Sequence, residues 1–325
     1  MNKKLLILTE AGTGIGFGHY MRCLALLRFF EEKGVEVKMF LDLKGEHNPG
    51  SADLVDWKND KDILLQYSGQ IHSVLIDSYL ADPDFYSFLK SSFEKVIALD
   101  DFNRIAYDAN IVINPNIYGN ELNYSNQKGL IAGGEKFVIL RKEFRKSTRK
   151  YVIREDLKNV LITVGGSDNK SLIPRLLTLL KNEAFDISVI SGNDEYKEKI
   201  KKYCEGDTSI EIIGFANAEL MLNKMIQADL VISACGQTLH ELAYLGIPCI
   251  GITSGDDQVL NMKNYVKSGY LLQEIYWNDV DIEEKIFHSI DILRDRKKRS
   301  EVSMTGRSII RGDGLENIYK KIFPN

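Results

Sequence analysis

The chain has 325 residues, 44% hydrophobic and 27% charged, an ordinary globular balance and enough length for two domains with sizeable cores. The formal net charge is −4 and no basic stripe interleaved with aromatics is present, which argues against nucleic acid as a partner. The first apolar run stops at Thr9-Glu10, too short for a signal peptide, and no stretch approaches the length of a membrane span, so a cytoplasmic chain without stable membrane insertion is expected.

The first element in chain order is a buried strand, Leu5–Thr9. A glycine-rich turn follows, Gly14-Ile15-Gly16-Phe17-Gly18-His19, and then a helix over about Tyr20 to Lys33. Glycines on a strand-to-helix turn let the backbone approach a ligand with no Cβ in the way. The helix N-terminus adds unpaired N–H groups and a partial positive charge. A histidine at that point is expected to stay neutral and to be able to accept a proton. The spacing does not fit a G-x-G-x-x-G dinucleotide fingerprint, because the third glycine falls at His19 or Phe17. His19 is therefore read either as a base or as a residue that caps or packs the turn.

Further strands are expected at Val35–Leu41, Ser73–Asp77, Val96–Asp100 and Ile111–Asn114. A second set follows at Val160–Val164, Ile187–Ile190, Ile210–Ile213, Leu230–Ser233 and Cys249–Ile252. These runs are nearly continuous in apolar residues, as expected of parallel strands covered on both faces, and helical stretches fall between many of them. Two similar doubly wound α/β domains with an interdomain cleft follow, assigned as 1–148 and 149–325. The charge-rich stretch Arg141 to Lys158 marks the link, and Tyr118 to Gly129 reads as an exposed loop, either a lid or plain surface. The amphipathic run Leu315 to Phe323 is expected to be a helix that packs on either domain. The cysteines Cys23, Cys204, Cys235 and Cys249 lack C-x-x-C spacing and read as reduced, three of them in core runs.

Ligands of open parallel sheets bind beyond the carboxyl ends of the strands. In the first half, Asp77-Ser78-Tyr79 and Asp100-Asp101-Phe102 sit there, either to bind sugar hydroxyls and orient a base or as strand-end turn formers. In the second half the same edge carries Gly165-Gly166-Ser167-Asp168, Gly214-Phe215-Ala216 and Cys235-Gly236-Gln237-Thr238. Backbone N–H groups and hydroxyls in such turns suit a diphosphate. Glu241 either accepts from ribose hydroxyls or closes a capping box with Thr238 as N-cap. His240 is expected on the helix surface. Asp256-Asp257-Gln258 and Asn261 follow the last strong strand, as a plain loop or as ligand contacts.

Taken together, these residues resemble the nucleotide-sugar hydrolase of pseudaminic acid biosynthesis and its spore-coat polysaccharide relatives. Gly16-Phe17-Gly18-His19-Tyr20-Met21-Arg22-Cys23-Leu24 looks like that family's glycine-histidine-arginine signature. Asp77-Ser78-Tyr79, Asp100-Asp101 with Arg104, and Asn114-Pro115-Asn116 look like its middle motifs, and Leu140-Arg141-Lys142-Glu143-Phe144 like its interdomain segment. Gly165-Gly166-Ser167-Asp168 and Gly236-Gln237-Thr238-Leu239-His240-Glu241-Leu242 match its nucleotide-binding motifs.

The resemblance implies the GT-B architecture. It also implies hydrolysis of UDP-2,4-diacetamido-2,4,6-trideoxy-β-L-altropyranose at the anomeric carbon, with no cofactor and no metal. It makes His19 the general base, with Gly16, Gly18, Arg22, Asp77, Tyr79, Asp100 and Asp101 on the sugar side. Gly165, Gly166, Ser167, Phe215, Gly236, Gln237, Thr238, Glu241, Asp257, Gln258 and Asn261 fall on the nucleotide side. The chain departs from the family pattern at Glu10 to Thr13, where an aspartate-alanine-serine run is usual, and at Ser78, where histidine is common. It also reads Asp257-Gln258 where the family has an asparagine-glutamine pair. The rivals are a GT-B glycosyltransferase with a sugar or lipid-linked acceptor, and a nucleotide-sugar-binding module without catalysis.

Overall fold

The structure is a computed structural model that describes residues 3–12, 15–45, 50–165, 168, 170–204, 207 and 209–324. The chain forms two compact units, Met1–Lys142 with Gly312–Asn325, and Glu143–Arg311.

The first unit is a parallel sheet of β1 (Lys4–Gly12), β2 (Glu36–Lys44), β3 (Asp53–Leu54), β4 (Ser73–Asp77), β5 (Lys95–Leu99), β6 (Ile111–Asn114) and β7 (Leu130–Gly133). Its order is β3-β2-β1-β4-β5-β6-β7, so the strand order reverses between β1 and β4. Successive residues of β1 point to opposite faces. Leu5 and Ile7 join one core with Phe30 and Leu26 of α1 (Gly18–Glu32). Leu6 and Leu8 join another with Leu64 of α2 (Lys61–Ser68) and Phe85 and Leu89 of α3 (Pro83–Ser92). The continuous apolar run of β1 is thus explained by burial on both faces. Asp82 caps α3 by accepting from Phe85 N–H at 2.8 Å, with Pro83 in the first turn.

A short helix, α4 (Lys142–Arg145), leads into the second unit. There the parallel strands are β8 (Asn159–Thr163), β9 (Asp186–Ile190), β10 (Ile210–Ile213), β11 (Leu230–Ala234) and β12 (Cys249–Ile252), in the order β10-β9-β8-β11-β12. The helices are α5 (Leu172–Leu180), α6 (Asp194–Tyr203), α7 (Ala218–Gln227), α8 (Gln237–Leu245), α9 (Val259–Lys267), α10 (Ile282–Arg294) and α11 (Arg296–Ile309). The order reverses here between β8 and β11.

The last helix, α12 (Gly314–Ile322), clusters with the first unit. Leu315, Ile318 and Ile322 enter the core that holds α1, and Lys95 Nζ donates to Ile322 O at 2.7 Å. All four cysteines are free, and Cys23, Cys235 and Cys249 are buried. The stretch Tyr118 to Gly129 is largely exposed, but Tyr118 and Tyr124 are buried, Tyr124 donating from Oη to Asp100.

Candidate active site

The turn after β1 is closed by backbone bonds. Gly16 N–H donates to Gly12 O at 2.8 Å, and Gly12 N–H donates to Gly16 O at 3.0 Å. Gly12 has φ +122, and a Cβ there would lie 1.9 Å from Lys44 O, so only glycine fits. Thr13 and Gly14, within the expected glycine turn, lie outside the described residues. The turn delivers His19 to the first turn of α1, whose N-terminus has no side-chain cap.

Asp77 ends β4, the strand beside β1 at the reversal point. Its Oδ1 lies 2.7 Å from His19 Nδ1. Arg22, one turn beyond His19 on α1, donates from Nε to Asp77 Oδ2 at 2.8 Å and from Nη2 to Asp77 Oδ1 at 2.6 Å. The same guanidinium donates from Nη1 to Asp101 Oδ1 at 2.7 Å. Asp101 also accepts from Tyr79 Oη at 2.6 Å and from Asn116 Nδ2 at 2.8 Å. The Tyr79 ring meets the His19 ring edge-to-face, with centroids 4.3 Å apart. His19, Arg22, Asp77, Tyr79 and Asp101 therefore form one network on the carboxyl edge of β1, β4 and β5.

Burial by itself pulls the His19 pKa down, but the charge and hydrogen bond of Asp77 outweigh it and raise the pKa above 6.5. The expected downward pull of the helix end is thus reversed in direction by Asp77. The ion-pair partner lies 58 residues away, and its full charge at 2.7 Å exceeds the partial charge of a helix terminus. Burial pushes Asp77 upward, yet Arg22 and His19 hold it far below the ordinary carboxylate range. Asp101 is lowered in the same way by Arg22. With two carboxylates and one guanidinium, the network keeps one negative charge available to an imidazolium. The bond to Asp77 assigns the Nδ1 proton and leaves Nε2 as the acceptor.

Asp100 sits elsewhere in function. Its oxygens accept from Asn103 N–H (2.6 Å), Tyr107 Oη (2.6 Å) and Tyr124 Oη (2.5 Å), which fastens the loops beyond β5. Gly16 and Gly18 leave open space where a Cβ would be. Asn116 was not singled out as a site residue from the sequence. Its signal is the Asn114-Pro115-Asn116 run at the end of β6, where Asn114 Oδ1 accepts from the Asn116 side chain at 3.0 Å.

In the second unit, Gly165 follows β8 with φ +99, and Gly236 follows the neighbouring β11. Gly166 and Ser167 lie outside the described residues. Asp168 accepts from Leu172 N–H at 2.7 Å and Ile173 N–H at 2.8 Å, which anchors the start of α5. Gln258 Oε1 accepts from Cys235 N–H at 3.2 Å and Ser254 N–H at 3.0 Å, so it ties the turns after β11 and β12 together. Phe215, after edge strand β10, is 67% exposed, whereas Glu241 and Asn261 are buried. Gln237 and Thr238 are half-buried in the first turn of α8, and Asp257 is exposed.

Thr238 is not the N-cap, because α8 starts two residues earlier than expected, at Gln237, with Gly236 as N-cap and no side-chain cap on it. His240 is 1% exposed rather than on the surface, with Nδ1 2.7 Å from Tyr265 Oη, because α9 covers that side of α8. Among the described residues no helix is long and apolar enough to cross a membrane.

Residues 159–313 match the glycosyltransferase family 28 C-terminal domain. The spore coat polysaccharide biosynthesis protein SpsG of Bacillus subtilis is 25% identical over 231 residues, 68% of this chain and 67% of that protein. The pseudaminic acid cytidylyltransferase and UDP-2,4-diacetamido-2,4,6-trideoxy-beta-L-altropyranose hydrolase of Helicobacter pylori is 23% identical over 97% of this chain and 54% of its own length. A UDP-N-acetylglucosamine–N-acetylmuramyl-(pentapeptide) pyrophosphoryl-undecaprenol N-acetylglucosamine transferase of Clostridium perfringens is 30% identical over 204 residues, 59% of this chain and 54% of that protein. The structure of MurG from Acinetobacter baumannii aligns with a TM-score of 0.65 at 16% identity, over 98% of this chain and 99% of that one. The two parallel-sheet units have the GT-B fold.

Proposed function

We propose that this chain is a nucleotide-sugar-using enzyme, and specifically a hydrolase that cleaves a UDP-linked 2,4-diacetamido-2,4,6-trideoxyhexose at the anomeric carbon. The observation that carries this reading is the His19–Asp77 pair braced by Arg22, set at the glycine turn that opens α1. The resemblance of the chain's motifs and the Helicobacter pylori relative supply the substrate class. Cytoplasmic residence is part of the same proposal.

In the mechanism, His19 Nε2 takes a proton from water as its oxygen bonds to the anomeric carbon with inversion. The bond from that carbon to the diphosphate oxygen breaks, and UDP leaves with the electron pair. The new imidazolium is stabilised by Asp77, while Arg22 keeps Asp77 and Asp101 in place. UDP is a good leaving group, so no carboxylic acid is needed opposite the base, unlike an ordinary glycosidase. Tyr79 and Asp101 are assigned to the sugar, together with the open backbone at Gly16 and Gly18. The turns at Gly165, Gly166 and Ser167 and at Gly236, Gln237 and Thr238 are assigned to the diphosphate. Phe215, Asp257, Gln258 and Asn261 are assigned to the rest of the nucleotide, and Glu241 to the ribose through the resemblance alone. Asp100 is left out of the binding set because it fastens the loops beyond β5 through Asn103, Tyr107 and Tyr124 and does not bond to His19, Arg22 or Asp77.

A glycosyltransferase is the second reading, favoured by the 30% identity to the Clostridium perfringens transferase. Incubation with UDP-linked 2,4-diacetamido-trideoxyhexoses separates the two. Multiple turnovers of UDP release without acceptor support the hydrolase. Release that appears only after an acceptor is added rejects it.

A further inference from the structure

We infer that Glu10 is a positioning residue for His19, acting through the turn that carries Ser78 and Tyr79. The inference rests on the reading of His19 as the base. Glu10 lies on β1 and is fully buried, with no role in the mechanism above. Its Oε1 accepts from Tyr79 N–H at 2.8 Å, and its Oε2 accepts from Ser78 Oγ. Ser78 Oγ in turn accepts from Leu80 N–H at 2.9 Å and Ala81 N–H at 3.1 Å. One carboxylate therefore fixes the backbone of 78–81 directly after Asp77.

Tyr79 depends on that anchor twice over. Its ring lies against His19, and its hydroxyl holds Asp101, which holds Arg22. The positions of the glutamate and the serine are also two at which the chain departs from the pattern it resembles, and they bond to each other. A glutamate reaching a short serine is a matched pair, so either change alone breaks the link.

Glu10→Gln separates positioning from bulk. The amide oxygen still accepts from Tyr79 N–H. The amide NH₂, however, meets a serine oxygen already occupied by two N–H donors, so the turn must shift. Displacing a catalytic constellation by about 1 Å costs on the order of 10²-fold in rate. Glu10→Gln and Ser78→Ala are each expected to lower kcat about ten- to a hundred-fold, with KM changed less than about three-fold. The groups facing His19 are Asp77, Arg22, Asp101 and Tyr79, and Glu10 is not among them, so the pH midpoint of the basic limb should stay where it is.

In a Tyr79→Ala background, Glu10→Gln should add no further loss of kcat, because its effect runs through Tyr79. Wild-type kcat in folded Glu10→Gln, or losses that simply multiply in the double variant, would overturn the inference. A readout without turnover keeps this test apart from the hydrolase reading. The His19 ring-proton resonances, shifted by the Tyr79 ring, should move towards ordinary values in Glu10→Gln. Unmoved resonances in a folded variant would overturn the inference whatever the reaction proves to be.

Discussion

His19 Nδ1 and Asp77 Oδ1 lie 2.7 Å apart, and Arg22 Nη2 donates to the same oxygen at 2.6 Å. The carboxylate thus belongs to an imidazole and a guanidinium at once. It orients the first and is itself held by the second.

The first expectation concerns His19. Replacing it by Ala should leave nucleotide binding by the second unit intact and reduce turnover by about 10²- to 10⁴-fold, the usual worth of a positioned base. Calorimetric titration with UDP beside a turnover assay checks both halves. Wild-type turnover in the variant would remove His19 from the chemistry.

The second concerns pH. A base works only when unprotonated, and Asp77 raises the His19 pKa above 6.5. The rate should therefore rise with pH through a midpoint above 6.5. Asp77→Asn removes the charge that favours imidazolium, so the midpoint should move to lower pH while the plateau rate falls. Profiles of kcat against pH for the two proteins test this, and a midpoint that moves upward would contradict it.

The third concerns stability. Arg22 is the counter-charge of two buried carboxylates, Asp77 and Asp101. Removing one partner of a buried ion pair costs about 3–5 kcal/mol. Arg22→Ala should destabilise the first unit on that scale, as read by denaturant unfolding. Arg22→Lys should recover only part, because an ammonium cannot reproduce the two-pronged contact with Asp77.

The fourth separates two glycines that flank the turn between β1 and α1. Gly12→Ala places a Cβ against Lys44 O at a positive φ and should destabilise by at least roughly 1–3 kcal/mol. Gly18→Ala meets nothing within 4 Å and should leave the melting temperature unchanged. A rise in KM for Gly18→Ala would mark the place where a ligand approaches the backbone.

Much of the fold was legible because parallel strands buried on both faces read as unbroken apolar runs; Ser73–Asp77, Ile111–Asn114, Ile210–Ile213 and Cys249–Ile252 were read to the residue. The strands that escaped are β3, two exposed residues, and β7, where Leu130 is 51% exposed and glycine ends the run. Both are edge strands with little apolar signal of their own. In the site, His19 stood out at the start of a helix after a glycine turn, and Asp77 and Asp101 as polar residues at strand ends. Their coupling did not, since it depends on β1 and β4 becoming neighbours. The direction of the His19 pKa shift was misjudged for the same reason. A helix terminus is visible in the local sequence, whereas a carboxylate delivered by the next strand in the sheet is not. His240 was misplaced because nothing near it in sequence announces that Tyr265 will cover it.

The most direct test of the central claim is acceptor-free UDP release from a UDP-linked 2,4-diacetamido-2,4,6-trideoxyhexose in ¹⁸O-water, with the His19→Ala variant run alongside. The account expects UDP free of solvent oxygen, a free sugar of inverted anomeric configuration over many turnovers, and near-complete loss in the variant. UDP release that requires an added acceptor, or that His19→Ala carries out at the wild-type rate, would contradict it.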